Sequence, residues 1–189
     1  GVAGTDFEKA RMKAASAWNE KLSKVEINGG SDEFKTLFYT HLYHSYLVPN
    51  ISSSYSGVYR AGHQPDSLFY TKDTAPDFTF YSTWSLWDDF RKYPLVSLLE
   101  PAIDQNIARS LVDHYKHRNG GDPKYWPTPN IRNEFTGAVI MDAWNKGLNK
   151  FDPEIAFKGM KEDYERSAEG NVSEKLEKAY HAYFAMKMA

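Results

Sequence analysis

The chain has 189 residues, and its 23 Lys and Arg nearly balance its 25 Asp and Glu, for a formal net charge of −2. This length allows one substantial domain with its own core, and the charge balance argues against a binder of nucleic-acid phosphates. The absence of cysteine excludes disulfides and thiolate metal sites, and no apolar run approaches the ~20 residues that span a membrane.

The N-terminal quarter of the chain predicts a helical hairpin. Its first five residues lack the basic and apolar regions of a signal peptide, so we expect an excised segment of a longer protein. Thr5 or Asp6 can cap a helix at about 7–25, which ends near the glycines at 29–30 because glycine readily adopts the left-handed conformation of a helix stop. A second helix is predicted over about 31–48.

Residues 50–82 differ in composition from the segments around them. They are rich in Ser, Gly, Tyr, Pro and Asp and show no 3.6-residue period, although short β-hairpin pieces are predicted near 58–60 and 68–70. A loop of this length inside a compact domain is more often functional than idle. We therefore expect this irregular loop to contribute to a functional surface.

The remaining chain predicts further helices that are joined by loops. The helical segments lie at about 82–99, 101–116, 133–146, from 153 onward, and at 173–188, with a clear break at 119–123. The charged run at 174–178 indicates a solvated helix face. No βαβ pattern repeats, so we predict a mainly α fold of helical hairpins in which residues 1–189 form a single all-α segment.

The segment at 80–95 carries the most distinctive chemistry. Asp88 and Arg91 form an i,i+3 pair on one helical turn. Aromatic planes cover the apolar face of a pyranose, and charged groups bond its hydroxyls. An aromatic stripe is also typical of a helix core, and a plain surface ion pair would explain the charges equally well. Aromatic side chains recur here at steps of three, namely Trp84, Trp87, Phe90 and Tyr93.

Six short motifs follow one another along the chain in a fixed order. They are 17–25 (AWNEKLSKV), 38–44 (FYTHLYH), 49–50 (PN), 57–60 (GVYR), 81–91 with 94–95 (YSTWSLWDDFR, PL), and 142–147 with 151–152 (DAWNKG, FD). Together they cover about residues 5–160. In this order they resemble the calcium-dependent α-mannosidases of glycoside hydrolase family 92.

The resemblance implies a catalytic domain shaped as an (α/α)6 toroid, packed against a β-sandwich domain. The chain is too short for either, so we expect the first part of the toroid, in contact with missing domains of its parent. The implied activity is exo-acting, inverting hydrolysis of α-linked mannose from mannans or N-glycans, in a periplasmic or secreted bacterial enzyme. The implied cofactor is calcium, whose ligands, like the general base, are expected outside this chain; no residue here is assigned to a metal.

The resemblance also assigns roles to individual residues. Trp87, Asp88 and Arg91 match positions that contact the terminal mannose, and Glu134 is the candidate general acid. The interval from Glu134 to the motif at 142 is several residues short, and a gap-free alignment places the acid position on Pro127 instead. After residue 60 the family continues with Gly-x-Asp where this chain has Ala-Gly-His-Gln, which suggests altered specificity.

Two functions therefore remain open at the level of the sequence. An inverting glycosidase needs an acid and a base whose carboxyl groups lie roughly 6.5–9.5 Å apart, and Glu134 would supply the acid. If the acid is lost, the chain is instead a carbohydrate-binding or structural helical module without catalysis. The direction of the Glu134 carboxylate relative to Asp88 and Arg91 distinguishes the two.

Overall fold

The computed structural model describes residues 6–60, 69–70, 77–82, 85–117, 135–167 and 170–189. The described chain is mainly α, as predicted, with short antiparallel strand pairs beside the helices. It divides into two compact units, Gly1–Val48 and Pro49–Ala189. That residues 1–189 form a single segment of a larger domain stays a prediction. None of the described helices is long and apolar enough to cross a membrane.

The first unit is the predicted helical hairpin. Helix α1, Phe7–Leu22, begins after Asp6, and helix α2, Asp32–Ser45, begins after Ser31; both caps accept a backbone N–H of the first turn through their side-chain oxygens. Such caps satisfy donors that the helix itself leaves unpaired. The glycines at 29–30 have φ angles of 82° and 74°, so they supply the left-handed turn between the helices.

Aromatic contacts join the two helices of this hairpin. The ring of Trp18 on α1 lies edge-on to Tyr43 on α2, with 4.6 Å between the centroids. The Tyr39 hydroxyl donates to the backbone carbonyl of Val25 at 3.0 Å. Of the side chains on these two helices, only Leu42 is buried. The hairpin therefore has little core of its own.

Two short strand pairs open the second unit. Strand β1, Asn50–Ile51, pairs antiparallel with β4, Tyr81–Ser82, while β2, Val58–Tyr59, pairs antiparallel with β3, Phe69–Tyr70. The hairpin pieces predicted near 58–60 and 68–70 are thus confirmed, and they pair with each other. The β1–β4 pairing brings the two ends of the 50–82 segment together, and the β2–β3 pairing lies within it.

The helices of the second unit follow the predicted order. They are α3, Leu86–Asp89; a 3-10 turn, Phe90–Lys92; α4, Tyr93–Leu99; α5, Pro101–His117; α6, Thr136–Asn145; α7, Pro153–Arg166; and α8, Val172–Met188. The prediction of one helix at 82–99 was wrong at its start, because Ser82 lies in β4. The predicted helix is also divided by the 3-10 turn. Pro94 has no N–H to donate to the carbonyl of Phe90, so the α-helical hydrogen bonds are interrupted at that turn.

Helix α5 lies at the centre of the core. Its side chains are buried along most of its length from residue 104 to residue 115, as expected for a helix surrounded by other elements. It contacts α4, α6 and α7. The contact with α7 is close, because a Cβ at Gly159 would lie 2.2 Å from Cγ of Tyr115, and the Tyr115 hydroxyl donates to Asp163 at 2.6 Å. Helix α5 thus joins α4, α6 and α7 in one core.

Candidate functional site

A pocket of about 280 Å³ lies between α3 with its 3-10 turn and the N-terminal half of α8. Trp87, Asp88 and Arg91, the three residues predicted to bind substrate, all line it, and all three are exposed. Ligand pockets usually enclose about 300–1,000 Å³, so this volume suits one small ring rather than a long chain. The structure therefore brings the predicted binding residues together at one cavity.

An aromatic stack forms one wall of the pocket and positions Arg91. The rings of Phe90 and Phe135 are parallel within 4° and 4.1 Å apart, and Tyr180 of α8 lies against Phe135 at 5.6 Å. The guanidinium carbon of Arg91 lies 4.4 Å from the centroid of the Phe90 ring. This cation–π contact holds the guanidinium on an aromatic face while its N–H groups stay available to a ligand.

The indole of Trp87 is held by helix α8. Its Nε1–H donates to Oε1 of Glu177 at 2.9 Å, and the hydroxyl of Ser173 donates to the same oxygen at 3.1 Å. The sequence hypothesis missed Glu177 and Ser173, because the charged run at 174–178 indicated a solvated helix face. The available signal was the spacing on α8: positions 173, 177 and 180 share one helix face.

The two neighbouring aspartates of this turn have different environments. Asp88 is exposed and accepts a short hydrogen bond from the Ser85 hydroxyl, so it presents a carboxylate to the pocket. Asp89 forms an ion pair with Lys92 at 2.7 Å, and only 15% and 14% of these side chains are exposed. Burial raises the pKa of the Asp89 carboxyl, and the Lys92 ammonium only partly offsets that rise. Asp88 is thus the carboxylate available to a ligand.

The candidate general acid, Glu134, lies outside the described residues, so its direction relative to Asp88 stays a prediction. The next residue in the chain, Phe135, is buried and lines the pocket. Among the described residues, no group of three or more His, Asp or Glu side chains is placed to hold a metal ion. These residues alone therefore do not fit a calcium site, which needs six to eight oxygen ligands.

Comparisons with known proteins agree on one family. The model of the glycosyl hydrolase family 92 catalytic domain matches residues 2–188. The solved structure of the GH92 family glycosyl hydrolase ccman5 is 27% identical and aligns over 98% of this chain with a TM-score of 0.85. The GH92 α-mannosidase BT3965 from Bacteroides thetaiotaomicron is 24% identical over 98% of this chain, with a TM-score of 0.78.

A second structure of BT3965, in complex with mannoimidazole, aligns over 100% of this chain at 24% identity and a TM-score of 0.77. No curated protein sequence matches the chain. The alignments cover only 26%, 28% and 27% of the three solved chains, in the order given. The present chain therefore corresponds to about a quarter of each of these proteins.

Proposed function

The chain belongs to glycosyl hydrolase family 92, and from this we propose that it is the part of an exo-acting, inverting α-mannosidase that binds the terminal mannose. The observation that carries the proposal is the joint presence of Trp87, Asp88 and Arg91 at one pocket. The mannoimidazole complex of BT3965 supports a mannoside as the ligand. The substrates would be α-linked mannans or N-glycans, acted on in the periplasm or outside the cell.

The three side chains offer complementary groups to a pyranose. The indole of Trp87 provides a flat apolar surface for the C–H face of the ring. The Asp88 carboxylate accepts hydrogen bonds from hydroxyls, and the Arg91 guanidinium donates to hydroxyl oxygens. An acceptor and a donor within one helical turn, beside an aromatic plane, suit a neutral polyol better than an anion or a cation.

Hydrolysis requires two further groups. We propose Glu134 as the general acid, since the next residue, Phe135, lines the pocket. Burial of the carboxyl among aromatic side chains would favour its protonated form. The general base would come from outside this chain, roughly 6.5–9.5 Å from the acid, so that a water molecule fits between them. Calcium, as the family implies, would also be bound by residues outside this chain.

The proposed setting is the first part of an (α/α)6 toroid in a longer parent enzyme. Pairs of consecutive helices in contact, such as α1–α2 and α7–α8, are the units from which such toroids are built. The remaining segments of the parent would then cover the exposed apolar side chains of this chain, among them Phe7 and Phe34. We propose that the chain by itself binds the sugar but does not hydrolyse it.

A calorimetric titration of the chain with α-mannobiose, with and without calcium, tests the proposal. We expect saturable binding that Asp88→Ala reduces at least about tenfold, because an ionised acceptor of hydroxyl hydrogen bonds is lost. Asp32→Ala, at an exposed aspartate of the first unit, is the matched control and should leave the affinity unchanged. Equal affinity of the unchanged chain and Asp88→Ala would contradict the assignment of the site.

Hydrolysis is tested separately, in a parent protein that contains all segments. Proton NMR of the released sugar should show inversion at the anomeric carbon, and Glu134→Gln should abolish turnover while leaving α-mannobiose binding in place. Full turnover by Glu134→Gln would remove that residue from the mechanism. Binding without any turnover by the unchanged parent would instead support the carbohydrate-binding module.

A further inference from the structure

The geometry points to Glu177 as a positioning residue of the mannoside pocket, which acts by holding the indole of Trp87 in the orientation that stacks on the sugar. This inference rests on the proposed function. It adds a residue from α8, 90 positions further along the chain than Trp87. Glu177 itself would not need to touch the sugar.

The contacts of Glu177 define this role. Its Oε1 atom accepts from Trp87 Nε1 at 2.9 Å and from the Ser173 hydroxyl at 3.1 Å. Ser173 lies one helical turn earlier on α8, so the carboxylate is fixed by its own helix before it binds the indole. Because a hydrogen bond to an ionised acceptor is stronger than a neutral one, this oxygen is a firm anchor for the ring.

Trp87 needs such an anchor. Its side chain is 37% exposed. A partly exposed ring can occupy several rotamers, and the selection of one of them costs free energy when a ligand binds. A hydrogen bond to Nε1 restrains both the rotamer and the plane of the indole before the sugar arrives. The bond thus prepares the flat surface that a pyranose requires.

The docking of α8 does not depend on this hydrogen bond alone. Tyr180 packs against Phe135 with 5.6 Å between ring centroids, and Phe184 lies against Tyr180 at 6.1 Å. Gly137 of α6 lies close to the same Phe184 side chain, since a Cβ there would come within 3.0 Å of Phe184 Cβ and 3.2 Å of its ring atom Cδ2. Helix α8 should therefore stay in place when Glu177 is replaced, so that the effect on Trp87 can be measured.

The test combines Glu177→Ala, Glu177→Gln and Trp87→Phe, measured as the affinity for α-mannobiose and as the indole N–H resonance of Trp87. Glu177→Ala should weaken binding roughly 3- to 10-fold, the cost of immobilising one side chain, and should shift that resonance. Glu177→Gln, whose amide oxygen still accepts a hydrogen bond, should recover most of the affinity. In the Trp87→Phe background, which has no indole N–H, Glu177→Ala should have no further effect.

Glu165→Ala, at an exposed glutamate of α7, is the matched control and should change neither readout. An equal loss of affinity on Glu177→Ala with and without Trp87 would mean that Glu177 acts on the sugar directly, and would overturn the inference. An unchanged indole resonance would overturn it as well. If Glu177→Ala does not fold, the resonance of Glu177→Gln decides, because a charge-to-amide exchange at a true acceptor must shift it.

The two proposals fail in different ways. If the unchanged chain does not bind α-mannobiose, the proposed function is wrong and the role of Glu177 in sugar binding is wrong with it. If the chain binds and the affinity depends on Trp87 but not on Glu177, only the inference about Glu177 is wrong.

Discussion

Asp104 on α5 is a buried carboxyl whose ionisation should govern the stability of the second unit. It is 1% exposed, and neither of its carboxylate oxygens has a hydrogen-bond partner among the described residues. Burial raises its pKa to about 7; the charge of Asp142 adds to the rise, and Lys146 opposes it. Lys146 donates to Asp142 at 2.7 Å and to the Ser97 hydroxyl at 2.6 Å. Because the Lys146 ammonium is paired with Asp142, it only partly offsets the rise in the Asp104 pKa.

The sign and size of the effect follow from this pKa. The folded state holds the Asp104 proton more tightly than the unfolded state, where the pKa is near its usual 3.8. The contribution of Asp104 to stability should therefore be largest below about pH 4, fall as the pH rises toward about 7, and level off above that. At about 1.4 kcal/mol per pKa unit, the difference between 3.8 and about 7 corresponds to about 4 kcal/mol as an upper limit.

Asp104→Asn should remove this dependence, because the amide carries no charge at any of these pH values. We expect the variant to unfold at a higher urea concentration than the unchanged chain at pH 8, and the gap to close toward pH 4. The difference between the two chains isolates Asp104, since other carboxyls titrate equally in both. Asp88→Asn, at an exposed aspartate, is the control and should show no such gap. A gap that does not vary with pH, or a variant less stable at pH 8, would refute the reasoning.

Three further substitutions have expected outcomes. Gly159→Ala should lower the free energy of unfolding by about 1–3 kcal/mol or more, because its Cβ would overlap the Tyr115 ring at 2.2 Å; an unchanged urea midpoint would contradict the close α5–α7 contact. Asn171→Ala should lower the free energy of unfolding by about 1 kcal/mol, because the capping box at the start of α8 is lost. A lower midpoint of thermal unfolding would show this loss. Arg91→Lys keeps the charge but loses the planar group over Phe90, so calorimetry should show roughly 3- to 10-fold weaker α-mannobiose binding. Wild-type affinity in Arg91→Lys would exclude a specific guanidinium contact.

Most of the helices could be predicted because their signals are local. Caps such as Ser31 and Asp152, a proline at the first position of α7, and the hydrophobic period within each segment all lie close together in the sequence. The error at Ser82 has the opposite cause. Ser82 pairs with Asn50 in the strand pair. The backbone N–H of the preceding residue, Tyr81, donates to the Ser110 hydroxyl at 2.9 Å. Contacts made 29 or more positions away decide its conformation, and no local pattern reports them.

The same distinction applies to the candidate site. Trp87, Asp88 and Arg91 lie within five positions, so helical spacing alone brings them to one side of a turn. Asp88 is exposed, whereas Asp89 is partly buried and paired with Lys92. The sequence does not show this difference in burial, so it could not tell which of the two carboxylates faces a ligand. Glu177 reaches Trp87 only because α8 packs back against the stack around Phe135. That these three residues lie at one pocket could thus be predicted, whereas the contact of Glu177 with one of them could not.

The pocket is consequently a property of two distant segments, and its affinity should be linked to the docking of α8. A ligand that binds only when α8 is in place stabilises that docked state, by about 1.4 kcal/mol at a tenfold excess over its dissociation constant. Conversely, a change that loosens the start of α8 without touching the pocket, such as the loss of the Asn171 cap, lowers the fraction of molecules with Glu177 in reach of Trp87. The orientation of the indole, and with it the proposed binding of a mannoside, should therefore depend on how firmly helix α8 is held in place.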